Sequence, residues 1–480
     1  MQRKTKILCT IGPASASPEV LRRMIESGMD AARINFSHGN REELLGYLRD
    51  VRRAAAEIGK PLAVLGDLQG PKIRIGIIGG SGKVELTPGA RLVIDPAVET
   101  GDAERVGTSY KTLAGDLSPG AMILLDDGLI RLVVEEIKGR AVYCRVVVGG
   151  VLKSHKGLNL PGVKVNIPAL TPKDEEDLAL MIEHGFDYAA LSFVQSAEDI
   201  RRMKELIRKT GGDIKIVAKI EKPAALDHLE EILAEVDGVM VARGDLGVEL
   251  SVERVPSAQK NILRSASRAK VLSITATQML ESMTVKPVPT RAEASDVANA
   301  VFDLTDALML SGETAVGDYP VQTVAMAAAI AIEAEKAMES WSDPRLLRHR
   351  TRANIPDAIC HAVADAARDL GAKAIVIGSQ SGQTALLMSK FRPQMPIIGI
   401  SSDERTVNRM ALMNGVCPVQ LPSMNELEES ISLAVKHLLS VGFANDGDIV
   451  MMTFGAPLQG RGRTNMLRII QVGEKCTPVE

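Results

Sequence analysis

The sequence predicts a (β/α)8 TIM barrel, interrupted by an all-β insert and followed by a C-terminal α/β domain. Three observations predict this. Eight short β-branched apolar runs alternate with helical patterns up to about residue 342. The alternation breaks once, after the third run, in an interval dense in turn dipeptides. Past Trp341 it restarts after a polar stretch.

The strand runs are KILCTIG, ARINFS, LAVLGD, YAALSF, IKIVAKI, GVMVAR, VLSITA and ALMLSG. All but the third lead into a helical pattern, and several of the helices open on cap signals. These are Ser17-Pro18, Thr171-Pro172 with acids from 174 to 177, and the segment after Tyr319-Pro320. Eight such units predict the barrel, in residues 1–70 and 168–342. Residues 71–167 carry Pro88-Gly89, Pro119-Gly120, Asp127-Gly128 and Gly149-Gly150 between short alternating runs such as RLVIDP, LIRLVVEEI and AVYCRVVV. That pattern predicts an inserted β-barrel domain. SDPRLLRHRTRANIP reads as a linker into residues 343–480. There AKAIVIG, PIIGIS, CPVQL, DIVMMTF and LRIIQV alternate with helices, which predicts a mostly parallel sheet. The 424 to 442 helix could pack on that sheet or at an interface.

At 480 residues the chain has room for about three domains of ordinary size. Its 57 Lys and Arg nearly balance 60 Asp and Glu, with no basic block, so neither nucleic acid nor a membrane surface is an expected partner. The five cysteines are scattered and never form C-x-x-C, which predicts a reducing cytoplasmic setting without disulfides or a zinc site. No run reaches the roughly 18 apolar residues of a membrane span.

In a barrel of this kind, chemistry gathers at the C-terminal ends of the strands. Strand two ends in Arg33, Asn35, Ser37 and His38, and three in Asp67. Five ends in Lys219 and Glu221, six in Arg243 and Asp245, seven in Thr275 and Thr277, eight in Ser311 and Glu313. Any one of these could be a polar group closing a strand. So many at one mouth cost desolvation unless a ligand or metal compensates. Lys219 and Glu221, two apart, share a face. A plain ion pair between them would leave Arg243 and Asp245 unexplained. Glu221 and Asp245 could instead give two hard oxygens to one cation, and with neither His nor Cys nearby, magnesium is favoured over zinc. A lysine beside such a metal suits phosphoryl transfer. In GDLQGPKIRIG, Lys72 and Arg74 share one face of an extended segment while Ile73 and Ile75 take the other. Two such cations need an anion; Asp67 could supply a local one.

IGPAS, RINFSHG, GDLQGPKIR, LLDDGLI, KGLNLPG, AKIEKP, VARGDLG, ATQMLESM, PTRAEASDVANAV and MLSGETAVGDYP, in this order, closely resemble the pyruvate kinase family. The resemblance covers barrel and insert and extends more weakly into the third domain. It implies the last step of glycolysis, transfer of the phosphoryl group of phosphoenolpyruvate to ADP, giving pyruvate and ATP with Mg2+ or Mn2+. It implies that Lys219 stabilises the phosphoryl group and the enolate oxygen, that Glu221 and Asp245 hold the metal, and that Gly244 offers its N–H to the substrate carboxylate. Thr277 would position the enolate for protonation, with Ser311 in the proton relay. Arg33 and Arg74 would grip phosphates, and Asn35, His38 and Lys156 would line the nucleotide side. The insert would act as a lid, and the assembly would be a homotetramer.

Two other readings compete with this one. A magnesium-dependent pyruvate-enolate lyase or aldolase would not need Arg33, Arg74 and Lys156. A regulatory protein that had lost catalysis would show changes at Lys219, Glu221, Asp245 or Thr277, and none is seen.

The chain departs from the family in the GDLQGPKIRIG stretch. Many members carry Thr, Lys, Glu and Thr where this chain has Leu68, Gln69, Lys72 and Ile75. Those members hold potassium with residues matching Asn35, Ser37 and Asp67, and the resemblance implies that Lys72 replaces the ion. In the third domain, SQSGQT follows a strand and opens a helix, so Ser379, Ser381, Gly382 and Thr384 could cradle an effector phosphate. An ordinary N-cap is the alternative. GAPLQGRGRTN lacks the tryptophan of several fructose-bisphosphate-activated members, which points to a sugar or nucleotide monophosphate as activator.

Overall fold

A computed structural model describes residues 3–163, 165, 167–341, 354–421, 427–455 and 464–473. Eight parallel strands close into a barrel: Lys6–Thr10, Ala31–Asn35, Ala63–Asp67, Tyr188–Leu191, Lys215–Ile220, Gly238–Ala242, Leu272–Ala276 and Ala307–Leu310. Each pairs with its neighbours in sequence order, and the first closes on the last through Lys6↔Ala307 to Cys9↔Leu310. Helices wrap the outside and bury one continuous apolar mantle, among it Leu21, Met24, Ile200, Met203 and Ile262. The sequence signals work as local physics requires. Ser17 accepts a hydrogen bond from the Val20 N–H at the start of Pro18–Ser27, and Thr171 and Asp174 form a reciprocal capping box at Pro172–Glu183.

The insert follows Asp67. Its main sheet has six strands, in the spatial order Leu158–Asn159, Met122–Leu125, Ile130–Lys138, Ala141–Val148, Arg91–Ile94 and Arg105–Val106. Ile75, Ile78, Leu92, Ile123, Leu132 and Val142 fill its own core, with Ile73 packed against them. Ile73 and Ile75 thus point into the insert, as the alternation predicts, and leave Lys72 and Arg74 on the other face.

The third domain has five strands in the order Val416–Gln420, Ile397–Ser401, Ala374–Gly378, Ile449–Phe454 and Met466–Gln471, the last antiparallel to its neighbour. Leu427–Ser440 packs Ile431, Ala434 and Leu438 onto this sheet, so it serves its own domain's core. The helix Ile355–Asp369 is capped by Asn354, so the end of the expected linker is already helical; residues 342–353 lie outside the described residues. This domain docks on the N-terminal end of the barrel. Barrel-interior side chains such as Leu8, Tyr188 and Met309 share one apolar cluster with Cys360, Met388 and Met410. The Tyr188 hydroxyl donates to the Arg409 carbonyl at 2.9 Å, and Asp306, buried at the foot of the eighth strand, pairs with Lys390 and Arg392. The opposite, C-terminal mouth faces the insert. Among the described residues no helix is long and apolar enough to cross a membrane.

Candidate active site

Register delivers the polar strand ends to one level of the barrel mouth. Asn35 lies beside Asp67, and Lys219 beside Met240, in the strand that leads straight into the short helix Arg243–Glu249 carrying Asp245. Arg33 donates from Nε to Asp67 Oδ2 at 2.7 Å and from Nη1 to Thr10 Oγ1 at 3.0 Å, with its Nη2 also 2.7 Å from Asp67 Oδ2. Lys219 Nζ donates to Ser192 Oγ at 2.8 Å and lies 3.0 Å from Glu221 Oε1 and 3.3 Å from Asp67 Oδ1. Ser192 in turn donates to the Leu68 carbonyl at 2.7 Å. Glu221 Oε2 accepts the Phe193 N–H at 2.7 Å.

Electrostatics follow from burial in this cluster. Burial alone would lower the Lys219 pKa, but the Asp67 and Glu221 carboxylates reverse this and raise it, so the side chain stays an ammonium. Burial would likewise raise Asp67, yet Lys219 and Arg33 hold it below the usual carboxylate range. Glu221 is pushed up to about 7 by burial, with Lys219 opposing and Asp245 reinforcing. Two buried carboxylate oxygens, Asp67 Oδ1 and Glu221 Oε1, face the Lys219 ammonium but have no well-directed hydrogen bond among the described residues. That is the condition an added cation relieves. Among the described residues no group of three His, Cys, Asp or Glu side chains gathers to hold a metal. Glu221 and the nearby Asp245 are two carboxylates of the kind that suit an ion taking one or two carboxylates and otherwise water or substrate oxygens, as Mg2+ does.

The turn after the seventh strand is strained. Thr277 and Gln278 both hold left-handed φ values, +70° and +53°. Arg243 keeps them there: its guanidinium donates to the carbonyls of Ala276 at 3.2 Å and Thr277 at 2.6 Å while pairing with Asp296 at 2.7 Å. Arg243, a strand-end candidate from the sequence, is thus a clamp on Thr277. The Gly244 N–H, expected to face a substrate carboxylate, donates here to Thr277 Oγ1 at 2.8 Å. Two other candidates are structural. Thr275 Oγ1 donates to Thr305 Oγ1 at 3.0 Å, and Glu313 accepts the Leu280 and Ser311 N–H groups at 3.1 and 2.7 Å. Ser311 Oγ is buried and accepts or donates no hydrogen bond.

The remaining candidates ring the cleft. Asn35 Oδ1 accepts the Ser37 N–H at 3.1 Å, and His38 is exposed in the loop beyond. On the insert, Arg74 donates to the His155 carbonyl at 3.0 Å and Lys156 pairs with Asp126 at 2.8 Å. Lys72 forms no ion pair among the described residues; Asp67 is taken by Arg33 and Lys219. Far away in the third domain, Ser379 is buried and Ser381 exposed. There Gly382 has φ +77°, and Thr384 Oγ1 is 2.6 Å from Thr464 Oγ1. Ser379, Ser381, Thr384 and Thr464, but not Gly382, line a cavity of about 1370 Å³ between that domain and the barrel floor. Most of GAPLQGRGRTN lies outside the described residues.

Sequence reasoning missed Ser192 and Phe193, which support Lys219 and Glu221. The available signal was the polar end of YAALSF, one of two strand termini passed over; the other, at Thr10 of KILCTIG, contacts Arg33.

The family description "Pyruvate kinase, barrel domain" matches residues 2–324, and "Pyruvate kinase, alpha/beta domain" matches 357–470. The chain belongs to the pyruvate kinase family. A pyruvate kinase of Geobacillus stearothermophilus is 44% identical over 475 residues, covering 98% of this chain and 80% of that relative. One of Clostridium acetobutylicum is 41% identical, covering 97% of this chain and 99% of its own. Among solved structures, a Cryptosporidium parvum pyruvate kinase superposes with a TM-score of 0.92 at 34% identity, over 98% of this chain and 96% of that one. The pyruvate kinase relationship makes the chain a phosphotransferase. It also fits the architecture of barrel, insert and α/β domain.

Proposed function

We propose that the chain transfers the phosphoryl group of phosphoenolpyruvate to ADP, giving pyruvate and ATP. The observation that carries this is the Lys219 ammonium, held charged between Asp67 and Glu221 and backed by Arg33. Phosphoryl transfer asks mostly for positioned positive charge, and this cluster supplies it in a buried site. Lys219 steadies the phosphoryl oxygens in flight and then the enolate oxygen left behind. Arg33 and Arg74 orient the phosphates, and Asn35, His38 and Lys156 line the nucleotide side. Glu221 and Asp245 hold the divalent cation, Mg2+ or Mn2+, which when bound neutralises charge on substrate oxygens. Gly244 and Thr277 bind the substrate carboxylate and enolate, which requires the Gly244 N–H to leave Thr277. Thr277 and Ser311 carry the proton that converts enolate to pyruvate. The unpartnered buried hydroxyl of Ser311 supports a relay there.

Residues 71–167 act as the lid, excluding water from the transfer. The enzyme works in the cytoplasm as a homotetramer. It needs no potassium, because Lys72 brings a fixed ammonium to the neighbourhood of Asn35, Ser37 and Asp67. A monophosphate effector binds at Ser379, Ser381, Gly382 and Thr384 and activates it; the cavity lined by Ser379, Ser381 and Thr384 supports a small-molecule site. The test of the central reading is an assay with purified protein. Phosphoenolpyruvate should be consumed only when ADP is present, with ATP and pyruvate formed in equal amounts. Consumption without ADP would instead favour the lyase or aldolase.

A further inference from the structure

Glu249, at the end of the short helix Arg243–Glu249, is a buried acid to which the reading above gives no task. Its Oε1 takes two hydrogen bonds, from Lys222 Nζ at 2.5 Å and from Asn159 Nδ2 at 3.1 Å. The two donors come from different domains. Asn159 lies in the strand by which the insert returns to the barrel, and Lys222 directly follows Glu221.

The outgoing segment of the insert, residues 68–73, meets the same region. Gly70, with φ +67°, packs so closely on the Ser192–Phe193 turn that an added Cβ would lie 2.8 Å from the Phe193 ring and 2.9 Å from Ser192 Cβ. Phe193 itself sits at φ +56°, and its N–H holds Glu221 Oε2. The Lys222 ammonium lies 5.8 Å from the Phe193 ring centroid. Both connections that carry the insert therefore press on the support of one carboxylate, Glu221. One does so through Gly70 and Phe193, the other through Asn159, Glu249 and Lys222.

We propose that Glu249 is a positioning residue that ties the root of the insert, at Asn159, to the orientation of Glu221, so that lid position and divalent-cation affinity are coupled. This rests on reading the insert as a lid and Glu221 as a metal ligand. A side chain with one buried oxygen shared between two domains transmits movement of either to the other, because losing one partner leaves the acid under-compensated.

The experiment is a double-mutant cycle on the full-length protein, with Asn159→Ala, Glu249→Gln and the pair together. Mn2+ binding is followed without substrate by the electron paramagnetic resonance of the free ion, and folding by melting temperature. Each single variant should weaken Mn2+ binding by about fivefold, and the double variant should be no weaker than the worse single one. Amide hydrogen exchange across residues 156–160 should quicken in Glu249→Gln, and saturating Mn2+ should return kcat to within about twofold of the unaltered protein. Mn2+ affinity unchanged in a folded Asn159→Ala variant would overturn the proposal even if Glu249→Gln failed to fold. Additive losses in the double variant would overturn it too. Failure of the unaltered protein to transfer phosphate would count against the catalytic reading instead, because the Mn2+ titration does not depend on turnover.

Discussion

The Lys219 ammonium lies 3.0 Å from Glu221 Oε1, an oxygen with no well-directed hydrogen bond among the described residues. The same contact keeps the lysine charged and sets its ammonium against a carboxylate proposed to hold the divalent cation. Lys219→Met should therefore separate two effects. Turnover should fall by about a thousandfold, because charge-neutralising groups in phosphoryl transfer carry effects of that size. Mn2+ binding in the absence of substrate should hold or tighten, since the competing ammonium is gone. Steady-state kinetics and a direct Mn2+ titration check the two halves; near-normal turnover would remove Lys219 from the catalytic role.

Arg243 donates to the carbonyls of Ala276 and Thr277 and so holds a turn in which two consecutive non-glycine residues have positive φ. Arg243→Lys keeps the charge but cannot reach both carbonyls and Asp296 with one compact ammonium. The Thr277 hydroxyl should then lose its position, and kcat should drop by about tenfold to a hundredfold with a smaller change in KM. Equal kcat in the two proteins would show that the turn holds its shape unaided.

The barrel was legible because its strands are short, apolar on both faces and separated by amphipathic helices with explicit caps. That pattern is local and survives without knowledge of the fold. Lys219 and Glu221 were legible for the same reason, as two positions on one strand face. Ser192 and Phe193 were not, because their value lies in contacts with residues 27 and 28 positions away that no local pattern encodes. Arg243 and Gly244 show a subtler limit. Sequence places them at the mouth, but only the fold reveals that both are turned onto the Thr277 segment.

Asp306 is fully buried at the barrel floor between Lys390 and Arg392, which reach it from the third domain. Burial would raise its pKa, but the two cations prevail and hold it below the ordinary carboxylate value. Asp306→Asn strands both cations and should cost about 3–5 kcal/mol near neutral pH. A carboxyl with a depressed folded pKa contributes stability in full above its unfolded value of about 3.9 and loses it as pH falls through the folded value. The stability gap between the two proteins should thus be flat between about pH 5 and neutrality and narrow on acidification, while burial lowers the Lys390 pKa and limits that window on the alkaline side. Urea melts at several pH values measure it; a gap that widened in acid would contradict the assignment of charge.

Thr384 lies at the start of the helix Gln383–Ser389, with its hydroxyl against Thr464 and its loop on the large cavity. A carboxylate there would repel a phosphate. Thr384→Glu should abolish activation by sugar or nucleotide monophosphates and leave turnover without effector within about twofold. The check is a panel of such monophosphates assayed at subsaturating phosphoenolpyruvate, and full activation of the variant would move the effector elsewhere.

Lys72 follows Pro71 at the root of the insert, and a Cβ placed on Gly157 would lie only 3.6 Å from its Cε, so its stem is held against the returning strand. Asp67 is already matched by Arg33 and Lys219, so it does not claim the Lys72 ammonium, which is proposed to serve a substrate anion. A unit charge about 4 Å from the transferred group, at an effective dielectric near 20, contributes on the order of 4 kcal/mol. If all of it appears in the transition state, that is nearly three decades in rate. Lys72→Glu should therefore collapse turnover when tetramethylammonium is the only monovalent cation. Potassium at equal ionic strength should restore part of it, because Asn35, Ser37 and Asp67 remain to coordinate the ion, while Leu68 and Gln69 keep the pocket shaped for lysine. The unaltered enzyme should run equally fast in both salts. Strong potassium activation of the unaltered enzyme would refute the replacement and leave its place in the family untouched, since that rests on the barrel and α/β domain matches rather than on Lys72.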